Sequence, residues 1–254
     1  LLALIGFGLV PAWTTSRSDL QATLREGRQS TARRAIRARE ALMAGELAVA
    51  LVLVAAAGLM YRTVDRLLTV DPGFDPRGVL SVGVSLVGPR RAKEEAGRMF
   101  QNELLARASR LPGVSHAAMA GQIPLGDNYD RWGFRIEGHP LASSAEAPSV
   151  ERYAVTPDYF QVMRIPLKRG RLITAADRTG APLVLLVGET TARTLWPGGD
   201  PIGSRVRIGG PDGPWRTVVG IVGDVRHYSL SQPPPAGVYM PQAPRGGSFV
   251  LLLG

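Results

Sequence analysis

The chain has 254 residues, 45% of them hydrophobic and 20% charged, with a net charge of +9 and no cysteine. That is enough for one large domain or two modest ones, and the lack of cysteine excludes a disulfide framework and any thiolate metal site. The basic excess is concentrated: residues 14–40 hold Arg17, Arg25, Arg28, Arg33, Arg34, Arg37 and Arg39 against Asp19, Glu26 and Glu40.

Residues 1–13, LLALIGFGLVPAW, form a first apolar run. It lacks the basic leader and the small-residue cleavage site of a signal peptide, and reads as the end of a transmembrane helix. The last residues, SFVLLLG, stop inside a strand-like run. The chain is therefore expected to be a window from a longer protein.

Residues 14–40 read as a basic linker. Within it, SDLQATLREG offers Ser18 as a helix N-cap with Gln21 three residues on, Leu20 and Leu24 on one face, and Gly27 as a stop. A short amphipathic helix on the membrane surface is expected, with Arg28, Arg33, Arg34, Arg37 and Arg39 among anionic headgroups. Two flanking apolar runs and the absence of an aromatic residue for base stacking argue against nucleic acid as a partner.

Residues 41–61 contain one charge, Glu46, in a run of Ala, Leu and Val. About 20 apolar residues cross the hydrocarbon core, and a helix keeps every backbone hydrogen bond internal there. Glu46 sits about one turn inside, where it can reach headgroups or another helix. Ala48, Ala55, Ala56, Ala57 and Gly58 offer close-packing surface to such a helix. Short basic loops stay in the cytoplasm, so the linker is expected inside and everything after residue 62 outside.

After Tyr61 the helical spacing persists through Val64, Leu67 and Leu68 while Arg62, Asp65 and Arg66 enter. This predicts a water-exposed stalk over 62–74, ended by DPGFDP. LSVGVS alternates as a strand. Pro89 suits the start of a helix that recurs through Phe100, Leu104 and Ala108 to Leu111, and VSHAAMAG follows as a second strand. The β-α-β order implies parallel strands with a right-handed crossover.

From about residue 120 the chain turns to glycine, proline and short strands. GFRIEGH, SVERYAV, LVLLV and GVYMP read as strands, and ETTARTLW as a short helix. Thr156 is placed to cap a helix with Pro157 at its first position, and TAAD at 174–177 resembles another helix start. The stretch from Gly203 to Val225 reads as a hairpin turning at GGPDG.

No catalytic residue, cofactor site or metal site is expected. His116, His139 and His227 lie far apart, with no HExxH, and DVRH at 224–227 reads as a solvated strand end. There is no GxSxG elbow and no Walker A loop. Asp127, Asp130 and Glu137 are scattered acids in a loop-like stretch. Tyr129, Trp132 and Phe134 suit a binding surface and core or rim packing equally.

The chain as a whole resembles the MacB/FtsX-type ABC transporter permeases, in the duplicated form. GLVPAWTTSRSDLQATLREG resembles the end of one permease half. ALMAGELAVALVLVAAAGLMYRTVDRLLTVDPGFDPRGVLSVGVSL resembles the first span, stalk and domain start of the next. YAVTPDYFQVMRIPLKRGRLIT, TARTLWPGGDPIGSRVRI and TVVGIVGDVRHYSL resemble later signatures of the periplasmic core domain. The resemblance implies an α+β fold: transmembrane helices, then a periplasmic MacB-like core domain over 75–254, with a β-α-β subdomain and a β-rich one from about 120. It implies a bacterial inner-membrane permease subunit that relays ATP-driven movement from cytoplasmic ATPase subunits to the periplasmic domain and is not itself an enzyme. It also implies a dimeric assembly or a pseudo-dimer of two halves, a lipid bilayer and a periplasmic partner protein. A membrane-anchored periplasmic sensor or binding domain is the alternative.

Overall fold

The computed structural model describes residues 28–86, 94–126, 128–139, 147–177, 180–241 and 248–254. The first apolar run, the Ser18–Gly27 segment and Asp127 lie outside them. The chain divides into two compact units, residues 1–68 and 69–254.

The described part of the first unit is one helix, α1, Arg28–Leu68. The sequence predicts a linker up to residue 40, but the helix already includes residues 28–40. The reason is local: ARRAIRAREALMA is built of alanine, arginine, leucine and glutamate, all strong helix formers, with no proline or glycine to stop it. Ile36–Leu68 is long and apolar enough to cross a membrane.

The second unit is built on one ten-stranded sheet. Its strands are β1 Leu80–Ser85, β2 Ala117–Ala120, β3 Arg131–Ile136, β4 Ser149–Val155, β5 Leu167–Gly170, β6 Val184–Gly188, β7 Arg205–Ile208, β8 Trp215–Val222, β9 Gly237–Pro241 and β10 Ser248–Leu253. Three helices accompany them: α2 Glu94–Ala108, α3 Tyr159–Val162 and α4 Glu189–Leu195.

The β-α-β reading needs one correction. β1 and β2 do run parallel, but they are not neighbours, because β10 lies between them and is antiparallel to both. The last strand of the chain thus completes the first subdomain's sheet, and the β-rich region from residue 120 is not continuous in sequence. α2 packs Phe100, Leu104 and Leu105 onto a sheet face made by Ala117, Met119, Phe249, Leu251 and Leu253.

The β-rich part closes on itself. The strands run β4–β3–β7–β8–β6–β9, and β9 pairs in parallel with β4. Period-2 alternation sends Phe134, Val150, Leu185, Val187, Val206, Val218 and Val238 into the middle of this ring. The opposite faces of β4, β6 and β9 bury a second cluster against α3, in which Tyr153 stacks on its cross-strand partner Tyr239 at 4.7 Å, with Tyr159 and Phe160 beside them. One edge of β4 is shared: β3 takes its start and β2 its end, at Val155. β4 therefore belongs to both subdomains.

Two capping expectations fail. Thr156 does not cap α3; its hydroxyl accepts a hydrogen bond from the Met119 N–H at 2.8 Å, joining the loop to β2. At TAAD, the Asp177 carboxylate accepts from the Thr174 N–H at 2.8 Å, but a turn forms there, with Arg171 bound to the same carboxylate.

Candidate functional site: the apolar helix and the corner that opens the second unit

At ~1.5 Å per residue, the 41 residues of α1 extend about 62 Å, twice the roughly 30 Å hydrocarbon thickness. Either end of the helix must therefore project into water. Arg34, Arg37 and Arg39 are exposed on one flank. Arg28 and Arg33 belong to the same helical flank. Glu46 is also exposed, and Arg39 sits two turns earlier on its face of the helix. At the other end the Thr63 hydroxyl donates back to the Leu59 carbonyl at 2.9 Å, which hides its polarity against the helix.

The second unit opens with two successive Asp-Pro-X turns. The Gly73 N–H donates to Asp71 Oδ1 at 2.8 Å, and the Arg77 N–H to Asp75 Oδ1 at 3.0 Å. The chain needs glycine at 73, where φ is +84° and an added Cβ would stand 1.9 Å from the Asp224 carbonyl oxygen. This corner is fastened to distant segments. Arg226 N–H donates to the Pro72 carbonyl at 2.9 Å, Asp75 N–H to the Met163 carbonyl at 3.0 Å, and the Arg164 guanidinium to Asp75 at 2.6 Å. Phe74 and Val79 pack onto the cluster around Tyr153 and Phe160. The Arg77 side chain, the Arg77 N–H and Arg164 together hold the Asp75 carboxyl far below the ordinary carboxylate range.

A buried polar cluster braces the loops near the start of β4. Glu151 is 1% exposed. Its Oε1 accepts from the Asp130 N–H at 2.6 Å and from Gln122 Nε2 at 3.2 Å, and its Oε2 accepts from the Tyr228 hydroxyl at 2.8 Å. Burial, and then the bond to Glu151, push the Tyr228 hydroxyl up to about 12. His227 Nε2 lies 2.8 Å from the Asn128 carbonyl, which places a proton on that nitrogen, and 3.5 Å from Glu151. His227 is 2% exposed, between Tyr129, Tyr153 and Tyr228, so the solvated strand end expected of DVRH is wrong. The chain folds back there to close the polar cluster.

The aromatic group at 129–134 separates. Phe134 is fully buried and meets Trp196 edge-on, whereas Tyr129 and Trp132 are exposed, with the Arg152 guanidinium 4.6 Å over Trp132. Asp130 pairs with Arg152 at 2.8 Å and Glu137 with Arg205 at 2.8 Å, so these acids are not brought together. His116, His139 and His227 are not brought together either; among the described residues no group of three His, Asp or Glu is placed to hold a metal ion.

The sequence marked the long apolar helix, and sequence reasoning missed Gly73, Asp75, Arg164, Arg226 and Glu151. The repeated Asp-Pro signal was available for the first two. No local signal marks the other three, whose partners are far away in the chain.

Comparison with curated proteins returns no match. Among solved structures, the periplasmic region of MacB from Actinobacillus actinomycetemcomitans is similar, with a TM-score of 0.47 and 17% identity, covering 74% of this chain and 80% of that one. The extracellular domain of the noncanonic ABC-type transporter YknZ from Gram-positive bacteria matches with a TM-score of 0.43 and 13% identity, over 60% of this chain and 71% of that one. The family model of the MacB-like periplasmic core domain matches residues 41–251, from the start of the apolar run to the last strand. With a span followed by this domain over most of its length, the chain belongs to the MacB-like periplasmic core domain family of transporter permeases.

Proposed function

We propose that the chain is a permease subunit that carries movement across the bacterial inner membrane, from cytoplasmic ABC ATPase subunits to its periplasmic domain. The observation that carries this reading is the unbroken helix Arg28–Leu68, about twice as long as the membrane is thick. A plain anchor needs only the span; a helix that continues past the apolar run at either end is stiff where an anchor would tolerate a flexible linker. The corner that follows is fastened by hydrogen bonds to residues 163, 164 and 226, so a pull on it is shared by several segments of the second unit.

ATP hydrolysis is assigned to the partner subunit, and this chain is not an enzyme. The basic flank faces the cytoplasm by the positive-inside rule. The working assembly is a dimer, or a pseudo-dimer with a second permease half, acting with a periplasmic partner in export or an envelope process. The test is insertion of a flexible Gly-Ser segment at Thr63 in the assembled transporter. Transport is expected to be lost while ATP hydrolysis remains measurable; undiminished export would remove the helix from the mechanism.

A further inference from the structure

The stretch TARTLWPGGDPIG takes no part in the membrane helix or its corner. It builds much of a cleft of about 330 Å³ in the second unit, to which β5 contributes Lys168 and Arg169. Ile221, 7% exposed, gives the cleft an apolar floor. Trp196 lines it as well, while packing against Phe134 of the barrel core.

The charges around the cleft do not balance. Lys168 stands 3.5 Å from Glu189, and Arg169 donates to Asp200 at 2.6 Å. Arg193, the third cation, enters no ion pair among the described residues. One of its N–H groups donates to the Thr190 hydroxyl at 2.8 Å, which steadies the side chain. A guanidinium carries five donors in a fork that suits a carboxylate. An acidic group at Arg193 would therefore lie next to the apolar surface of Trp196 and Ile221.

The cleft also borders an open strand edge. Among the described strands β5 pairs only with β8, and all four of its residues are exposed. The other backbone edge of such a strand is a template for an added strand. The charge on β5 selects what is added. Lys168 and Arg169 would meet their like in a second copy of this edge, and like charges across two strands repel. An acidic strand is attracted instead. Alternate residues of a strand share a face, so an added strand can turn an apolar side chain and, two positions on, a carboxylate toward the cleft.

We propose that the β5 edge and its cleft bind an extended acidic segment of a partner protein. The segment's backbone pairs with β5, an apolar side chain enters beside Trp196 and over Ile221, and a carboxylate takes the Arg193 guanidinium. The inference rests on the function proposed above only for the existence of a periplasmic partner, and not on the relay of movement.

The test uses the full chain in phosphatidylcholine nanodiscs and fluorescence anisotropy. The probe is a fluorescein-labelled peptide repeating Leu-Thr-Glu-Thr; the control has lysine in place of glutamate. The parent should bind the glutamate peptide about tenfold or more tightly than the lysine peptide, the size of one charge-assisted contact. Arg193→Glu should reverse that preference, and a fully N-methylated glutamate peptide, which cannot pair with the edge, should not bind. Arg193 is exposed, so the variant should melt with the parent. Should the reversal unsettle α4, Arg193→Gln decides, with an expected loss of about tenfold. Equal binding of the two peptides by the parent, unchanged preference in Arg193→Glu, unchanged binding in Arg193→Gln, or binding of the N-methylated peptide overturns the proposal. So does self-association of the parent that Arg193→Glu abolishes while no peptide binds, which would assign the cleft to a second copy. Binding is read without ATP or ATPase, so its failure leaves the Gly-Ser insertion at Thr63 to be judged on its own, and undiminished export in that insertion leaves the cleft standing.

Discussion

Arg164 donates to the Asp75 carboxylate at 2.6 Å, joining the corner after the membrane helix to a residue 89 positions later. Arg164 follows α3 with a left-handed backbone, φ 51°, unusual for a side chain of its size. Asp75→Ala should therefore leave the fold standing, since the Asp75–Arg164 pair lies at the surface. In the assembled transporter it should lower export severalfold, with little change in the protein's melting temperature. Transport and melting measured on one preparation check this; equal losses in both would mean the pair only stabilises.

The two glycines of the corner should separate conformational strain from collision. Gly78 has φ +77° with nothing within 4 Å of an added Cβ, so Gly78→Ala should cost only the left-handed backbone penalty of about 1–2 kcal/mol. Gly73→Ala meets the Asp224 carbonyl as well and should cost more than about 3 kcal/mol. Denaturant titration of the two variants side by side reads the difference.

Glu151→Ala would strip acceptors from the Asp130 N–H, the Gln122 amide and the Tyr228 hydroxyl in one step. Buried donors left without acceptors cost about 1–3 kcal/mol each, so destabilisation of roughly 3–5 kcal/mol is expected. Tyr228→Phe removes one donor and leaves the carboxylate its other partners, so its effect should be much smaller. Equal effects, measured by thermal or urea unfolding, would show that the cluster does not act as a unit.

A share of the acid sensitivity follows from one carboxylate, Asp177. The bond from Arg171, aided by Thr174, lowers Asp177 from 3.8 to about 2. Depressed carboxylate values add stability that is complete above the unfolded value near 4 and is lost as pH falls toward the folded value. The melting temperature should fall between pH 4 and pH 2, and Asp177→Asn should flatten the Asp177 share of that fall.

Topology is checked by single cysteines. With none in the native chain, Arg34→Cys and Asp212→Cys each report one side. Both positions are exposed. The first should be labelled only from the cytoplasm and the second only from the periplasm; reversed labelling would invert the orientation.

The long apolar helix, its continuation past Tyr61 and most strands were legible in the sequence because each is a short-range pattern. Apolar run length identifies a membrane helix, and alternation identifies LSVGVS or SVERYAV as strands. The same alternation could not reveal that Glu151 is buried, because both faces of β4 are covered: Val150 faces the barrel interior, while Tyr153 and Val155 face the second cluster. Nor could it show that α1 takes in residues 28–40, where basic character suggested a linker and helix propensity prevailed.

By itself the sequence determined which stretch is long and apolar enough to cross a membrane and which stretches become helix or strand, since those depend on neighbours within a few residues. Only the tertiary structure decided that β10 separates β1 from β2, that β9 closes the barrel on β4, and that Arg164 and Arg226 hold the corner. Strand hydrogen bonds use the same backbone groups whatever the residue, so a strand's pattern shows which face it buries and not which strand it joins. That choice is made by closing long loops and burying whole faces at once, and it is settled by the global packing.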